Sequence, residues 1–132
     1  DETLKIDFSA DVLAQAQCLG RSFSTVRSVV VTHDHSDHFM PQELRWLGPP
    51  FSTSRDGQPA VELWGTRQVL SRLEREFQDY PPGRSRIVPH LMEPNVEIET
   101  LSGHRILPLT ADHCPGAVLL RIEGRDGAAL FY

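Results

Sequence analysis

Three consecutive valines, Val29, Val30 and Val31, run without a spacer into Thr32-His33-Asp34-His35-Ser36-Asp37-His38. β-Branched residues with no polar alternation fit a strand that is buried on both faces. The histidines then stand where that strand leaves the core. Along an extended chain side chains alternate in direction, so His33 and His35 point to the same side. Asp37 and His38 can join them only if the chain turns after Ser36, a turn that would gather five donor side chains into one pocket.

Zinc takes neutral imidazole nitrogen at about 2.0–2.1 Å and carboxylate oxygen at about 2.0–2.2 Å, and needs several such groups converging on one point. His33 with His35 can hold one ion, and Asp37 with His38 can contribute to a second, neighbouring one. The competing reading is a polar surface loop in which histidines cluster by chance. Four of the six histidines falling in or beside two short loops weighs against it.

Thr32-His33-Asp34-His35-Ser36-Asp37-His38 resembles the signature loop of the metallo-β-lactamase-fold hydrolases. Two further stretches agree: Leu4-Lys5-Ile6-Asp7 resembles the strand-end aspartate before that loop, and Ala111-Asp112-His113-Cys114-Pro115-Gly116 resembles the later loop that supplies a third histidine. The resemblance implies an α/β (α+β) fold, the αββα sandwich of that family, and a dinuclear site with His33, His35 and His113 on one ion and Asp37 and His38 on the other. Asp37 and His38 are then also the catalytic candidates. The implied cofactors are two divalent ions, zinc first, with manganese or iron as alternatives, and the implied chemistry is hydrolysis by a zinc-activated hydroxide. Similar proteins carry a metal-bridging aspartate just after a strand like residues 128–132, and precede the first strand with a hairpin. Residues 1–132 are therefore expected to form a single domain, incomplete at both ends and little more than half of the full sandwich, with an apolar inner sheet face left open to association, homo-oligomerisation included.

A chain of 132 residues is long enough for one domain with a real core. No apolar stretch approaches the roughly 20 residues that span a bilayer, and the first residues lack the pattern of a signal peptide, so the expected location is cytoplasmic with no membrane partner. The net charge of -5 offers no basic footprint for a polyanion. Cys18 and Cys114 form neither a disulfide framework nor a CxxC pair. Cys18 reads as a small core residue on an amphipathic helix, whereas Cys114 adjoins His113 and is a lesser candidate to approach the metal.

In order, residues 3–7 read as a strand. Ser9 then caps a helix, with Asp11 in its first turn, an apolar stripe of Val12, Leu13, Ala16 and Leu19, and Gly20 at its end. Asp7 either orients the metal loop by hydrogen bonding or caps that helix. Residues 41–47 suit a short helix begun by Pro41 and stopped by residues 48–50, and residues 51–59 a turn-bearing connection. Residues 60–64 read as a strand, followed by a helix capped by Thr66 and running through Tyr80, whose Arg67, Arg72, Glu74, Arg75 and Glu76 make a solvated face. Residues 81–83 end it. Residues 85–88, 96–100 and 105–109 are strand candidates, and residues 117–122 and 128–132 form a hairpin about the turn at 124–127. His104 is placed at a solvated turn, and His90 in a loop first or at the pocket edge second.

Ser36 has no His-Asp pair to activate it, which disfavours a serine-hydrolase reading. Asp112 serves either as a proton shuttle or group supporting His113, or as a turn former. The stretch His113-Cys114-Pro115-Gly116-Ala117-Val118 resembles the corresponding loop of the DNA cross-link-repair nucleases, and Asp37-His38-Phe39-Met40-Pro41-Gln42-Glu43-Leu44 that of bacterial small phosphodiesterases. Both branches cleave phosphodiesters. The acidic balance favours a small cyclic or linear phosphodiester as substrate over nucleic acid. Thioester or lactam hydrolysis on the same fold, and a non-catalytic zinc-binding or interaction module, are the alternatives.

Overall fold

The triple-valine segment forms β2 (Ser28–Val30), and each of its residues is buried, as is Val31. It lies inside a parallel sheet of order β1-β2-β3-β4, where β1 is Leu4–Ile6, β3 Val61–Gly65 and β4 Ile87–Leu91. Register pairs Val30 with Ile6 on one side and with Trp64 on the other. A second, antiparallel sheet of order β5-β6-β7-β8 is built from Ile98–Glu99, Arg105–Thr110, Val118–Glu123 and Ala129–Phe131. The structure, a computed structural model, describes residues 3–47, 60–78 and 86–132. The expected turn segments at 48–50, 51–59 and 81–83, and Tyr80, lie outside the described residues.

Two apolar clusters define the layers. On one face of the parallel sheet, Val29, Val31, Val61 and Leu63 pack with Val12 of α1 (Val12–Cys18), with Val69 and Leu73 of α2 (Arg67–Phe77), and with Phe8, Phe39, Leu44 and Leu47. On the other face Val30, Leu4, Ile6 and Trp64 meet Ile98, Ile106, Val118, Leu120 and Ile122 of the second sheet. The order is helices, parallel sheet, antiparallel sheet. The inner sheet face expected to lie open is thus covered, because the chain supplies strands to both sheets. The exposed apolar residues sit elsewhere, among them Leu119, Leu130 and Phe131. Between the sheets, the buried Glu62 Oε1 accepts from Ser28 Oγ and from Leu101 N, both at 2.6 Å, and Ser28 Oγ accepts from Ser102 N at 3.0 Å. A carboxylate in an apolar layer is tolerated because donors from both sheets satisfy it.

Several elements differ from the sequence expectation for local reasons. In α1 the cap position is Asp11; the Ser9 hydroxyl bonds the Asp11 carboxylate instead of a helix amide. The helix has two turns, so Leu19 falls beyond its last residue and is 72% exposed, and Cys18 is also exposed. Cys18 is therefore not a core residue. Residues Pro41–Leu47 form a 3-10 helix, and burial of Pro41, Leu44 and Leu47 follows its period of three. β5 is only two residues long, with Val96 outside it. His90 lies within β4, stacked on Trp64 with ring centroids 4.6 Å apart. His104 is buried, its Nδ1 2.9 Å from Ser102 Oγ, in a turn whose Leu101 and Ser102 amides bond Glu62 and Ser28 of the parallel sheet; it is not a solvated turn residue.

Candidate metal centre

At the end of β2 the chain is held by Asp7, which stands at the end of the neighbouring β1. Its φ of 52° is left-handed, a conformation aspartate adopts more readily than most residues. That bend turns the carboxylate back across the sheet end. Asp7 Oδ1 accepts from Thr32 N at 2.8 Å and Thr32 Oγ1 at 2.9 Å, and Oδ2 lies 2.7 Å from His38 Nδ1. Asp7 thus holds the 32–38 loop by hydrogen bonds and does not cap α1. The turn expected after Ser36 is present: His38 N and Phe39 N both donate to the carbonyl of His35, at 3.0 and 2.7 Å. Phe8 and Phe39 then pair side by side, fully buried, and fasten the loop to the strand before it.

These contacts fix ring tautomers. A carboxylate can only accept, so Thr32 gives its single hydroxyl proton to Asp7. Thr32 Oγ1 lies 3.0 Å from His33 Nδ1 and, its proton already committed, accepts from that nitrogen. His33 Nε2 is then left with its lone pair, buried and without a hydrogen-bond partner. By the same logic His38 Nδ1 carries a proton toward Asp7, leaving Nε2 as the acceptor. Burial, followed by the neighbouring His38, His35 and His113 rings, holds the His33 pKa below the usual imidazole value, which favours the neutral form a metal needs.

The second loop arrives from β6 and leaves into β7, closed by Ala111 N donating to the Ala117 carbonyl and Ala117 N to that of Cys114, each at 3.0 Å. Val118 N donates to the Thr32 carbonyl at 3.1 Å, tying the two loops together. The His113 ring lies 4.8 Å from that of His33 and 5.1 Å from that of His35, and His33 and His35 are 4.8 Å apart. Donor atoms of His33, His35, His113 and Cys114 all fall within 4.8 Å of one another. Three imidazoles, one with an orphaned buried nitrogen, and a thiol make a donor set that fits a divalent cation such as zinc.

The remaining candidates sit around this group. The His38 ring is 4.2 Å from that of His33, while Asp37 is highly exposed, its Oδ2 3.8 Å from His38 Nε2. Asp37 and His38 lie outside the four-residue group. Asp112 is exposed, and among the described residues its side chain makes no hydrogen bond. One participant escaped the sequence reading: Tyr132, whose hydroxyl donates to Asp7 Oδ2 at 3.3 Å. It lines a cavity of about 190 Å³ with Thr32, His33, His38, His113 and Val118. Only its position at the end of β8 could have marked it, since β8 pairs with the β7 that follows the His113 loop.

Helices on a parallel sheet packed against an antiparallel one, with histidines gathered at their shared end, are the arrangement of a metallo-β-lactamase-like fold. The chain belongs to the beta-lactamase superfamily domain family, whose model matches residues 3–132. No curated protein matches the sequence. Among solved structures, a diphosphatase from the PhnP family is 24% identical, with 91% of this chain and 44% of that one covered and a TM-score of 0.69. Zinc-bound PqqB from Methylobacterium extorquens is 22% identical over 100% of this chain and 45% of that one, also at 0.69. The metallo-beta-lactamase fold protein YhfI from Bacillus subtilis is 18% identical over 98% and 50%, at 0.73. The chain spans about half the length of these structures, so it carries part of their fold. Among the described residues no helix is long and apolar enough to cross a membrane.

Proposed function

We propose that this chain is part of a metal-dependent hydrolase of phosphodiesters, with a small cyclic or linear phosphodiester preferred over nucleic acid. The observation that carries the reading is the convergence of His33, His35 and His113 from two distant loops, with His33 Nε2 buried and unpartnered. These three histidines would hold one divalent ion, zinc in preference to manganese or iron. Asp37 and His38 would contribute to a second. A cation so held acidifies water and polarises a phosphoryl oxygen. The chain's own residues set up that chemistry. The relay from Asp7 through Thr32 aims His33 and leaves its Nε2 lone pair free, burial keeps that ring neutral, and Asp7 keeps His38 Nε2 free to accept a proton or bind a cation. Asp37, exposed with its Oδ2 3.8 Å from His38 Nε2, would share the catalytic role of His38 at that second ion.

The substrate class is supported by the loop resemblances and by the diphosphatase among the similar structures, and the preference for a small molecule over nucleic acid by the net charge of -5. Phosphodiester, thioester and β-lactam substrates compared side by side on metal-loaded protein test it. Phosphodiester cleavage is expected, and turnover confined to the thioester would overturn the preference. One observation favours a second reading: with Cys114 the donor set reaches four, the number found in closed, structural zinc sites. A non-catalytic zinc module would then be built on all four groups. Cys114→Ser separates the two, since zinc binding that depends on the thiol as strongly as on His113 supports the structural reading.

A further inference from the structure

The two ligand-bearing loops are distant in sequence, and each is gripped by the same helix. On α2 the guanidinium of Arg72 donates through Nη1 to the backbone carbonyl of Asp34, the residue between His33 and His35. One and a half turns earlier, Thr66 precedes the first residue of α2, yet its hydroxyl caps no helix amide. It donates instead to the carbonyl of Gly116 in the His113 loop at 2.8 Å. Gly116 has a φ of +81°, and a Cβ there would lie 2.1 Å from Gln68 Oε1 and 3.1 Å from Thr66 Oγ1, so loop and helix start are in close contact. Sequence periodicity places Arg72 on a solvated face, but it is partly buried and turned toward the metal loop. A third tie, Gln42 Nε2 donating to Glu76 Oε2 at 2.7 Å, fastens the segment after His38 to the same helix.

We propose that Arg72 and Thr66 are positioning residues for the metal: through α2 they set the separation of the loop carrying His33 and His35 from the loop carrying His113. This rests on the reading of those three histidines as metal ligands. The sign of the effect distinguishes the proposal from plain electrostatics. A guanidinium beside a cation site repels the cation, so deleting its charge should strengthen zinc binding if charge were its only influence. If Arg72 acts by holding the Asp34 carbonyl, deleting it should weaken binding, because imidazoles left free to separate must be brought back together on binding.

The test is zinc affinity, read by competition with a chromophoric chelator on the metal-stripped protein, for Arg72→Met, Arg72→Lys, Thr66→Val and Thr66→Ser. Arg72→Met and Thr66→Val are expected to weaken binding about tenfold or more, and the two variants that keep a donor to stay within about threefold of the parent. Arg72→Met or Thr66→Val binding zinc as tightly as the parent, or more tightly, overturns the proposal while leaving the metal site intact. A parent protein that binds no zinc overturns the ligand assignment itself, and this inference with it. Should Arg72→Met lose cooperative thermal unfolding in the metal-free state, Thr66→Val against Thr66→Ser decides.

Discussion

Asp7 is the residue on which the first loop turns, since one carboxylate serves Thr32 N, Thr32 Oγ1, His38 Nδ1 and Tyr132 Oη. Asp7→Ala leaves these donors without a partner in a buried setting. It is expected to lower stability by about 2–3 kcal/mol in urea unfolding. Asp7→Asn, which presents an N–H where His38 needs an acceptor, should keep the fold but weaken zinc binding by about 10–100-fold. His113→Ala should cost zinc affinity heavily, whereas His104→Ala should leave metal content unchanged and lower only the melting temperature. Equal metal loss from both would contradict the assignment. The metal loops were legible in the sequence because histidine spacing and the strand-end valines act locally. The tautomer relay was not, since Thr32 looks like any strand-end threonine until Asp7 is folded against it. Nor was His104, which is buried in a turn held by Ser28 and Glu62, residues far from it in sequence.

At the scale of elements, α2 and the 100–104 turn do work that periodicity alone assigns elsewhere. The spacing of Val69, Leu70, Leu73 and Phe77 marks the inward face of α2, where Val69 and Leu73 are buried and Leu70 and Phe77 partly so, but periodicity cannot tell that Arg72, beside that stripe, meets a carbonyl. Thr66 was correctly placed before the helix, yet its hydroxyl was taken by Gly116. Gly116→Ala should cost about 1–2 kcal/mol, because L residues resist its left-handed backbone, with Gln68 able to move its flexible end aside. Chemical denaturation checks the cost. The 100–104 turn gives a pH dependence. Burial, helped by the Arg125 guanidinium and opposed by Asp126, holds the His104 pKa below its ordinary 6.5. The native state therefore binds fewer protons than the unfolded chain once pH falls through about 6.5, and stability should drop there while staying flat above it. His33, also depressed, acts in the same direction. Melting temperatures of the chelator-treated protein between pH 8 and 5 should fall on acidification, with a shallower slope in His104→Gln. An equal slope in that variant would remove His104 from the account.

For the molecule as a whole, the candidate site exists because two sheets of different kinds end at the same place. The parallel sheet delivers Asp7 and the His33–His38 loop from adjacent strand ends, and the antiparallel sheet delivers His113 from the β6 to β7 connection. Glu62, Ser28 and Ser102 bond across the layer between them. Fold class was readable from the motifs because they fall on strand ends throughout the chain. The division of strands between two sheets was not, because short apolar strands carry no mark of their partner. The central claim is that imidazoles of both loops bind one cation, and zinc-edge X-ray absorption of the zinc-loaded protein tests it most directly. The account predicts a first shell dominated by three imidazole nitrogens at about 2.0–2.1 Å, losing one in His113→Ala. A shell of oxygen alone, or one unchanged by that substitution, would contradict it.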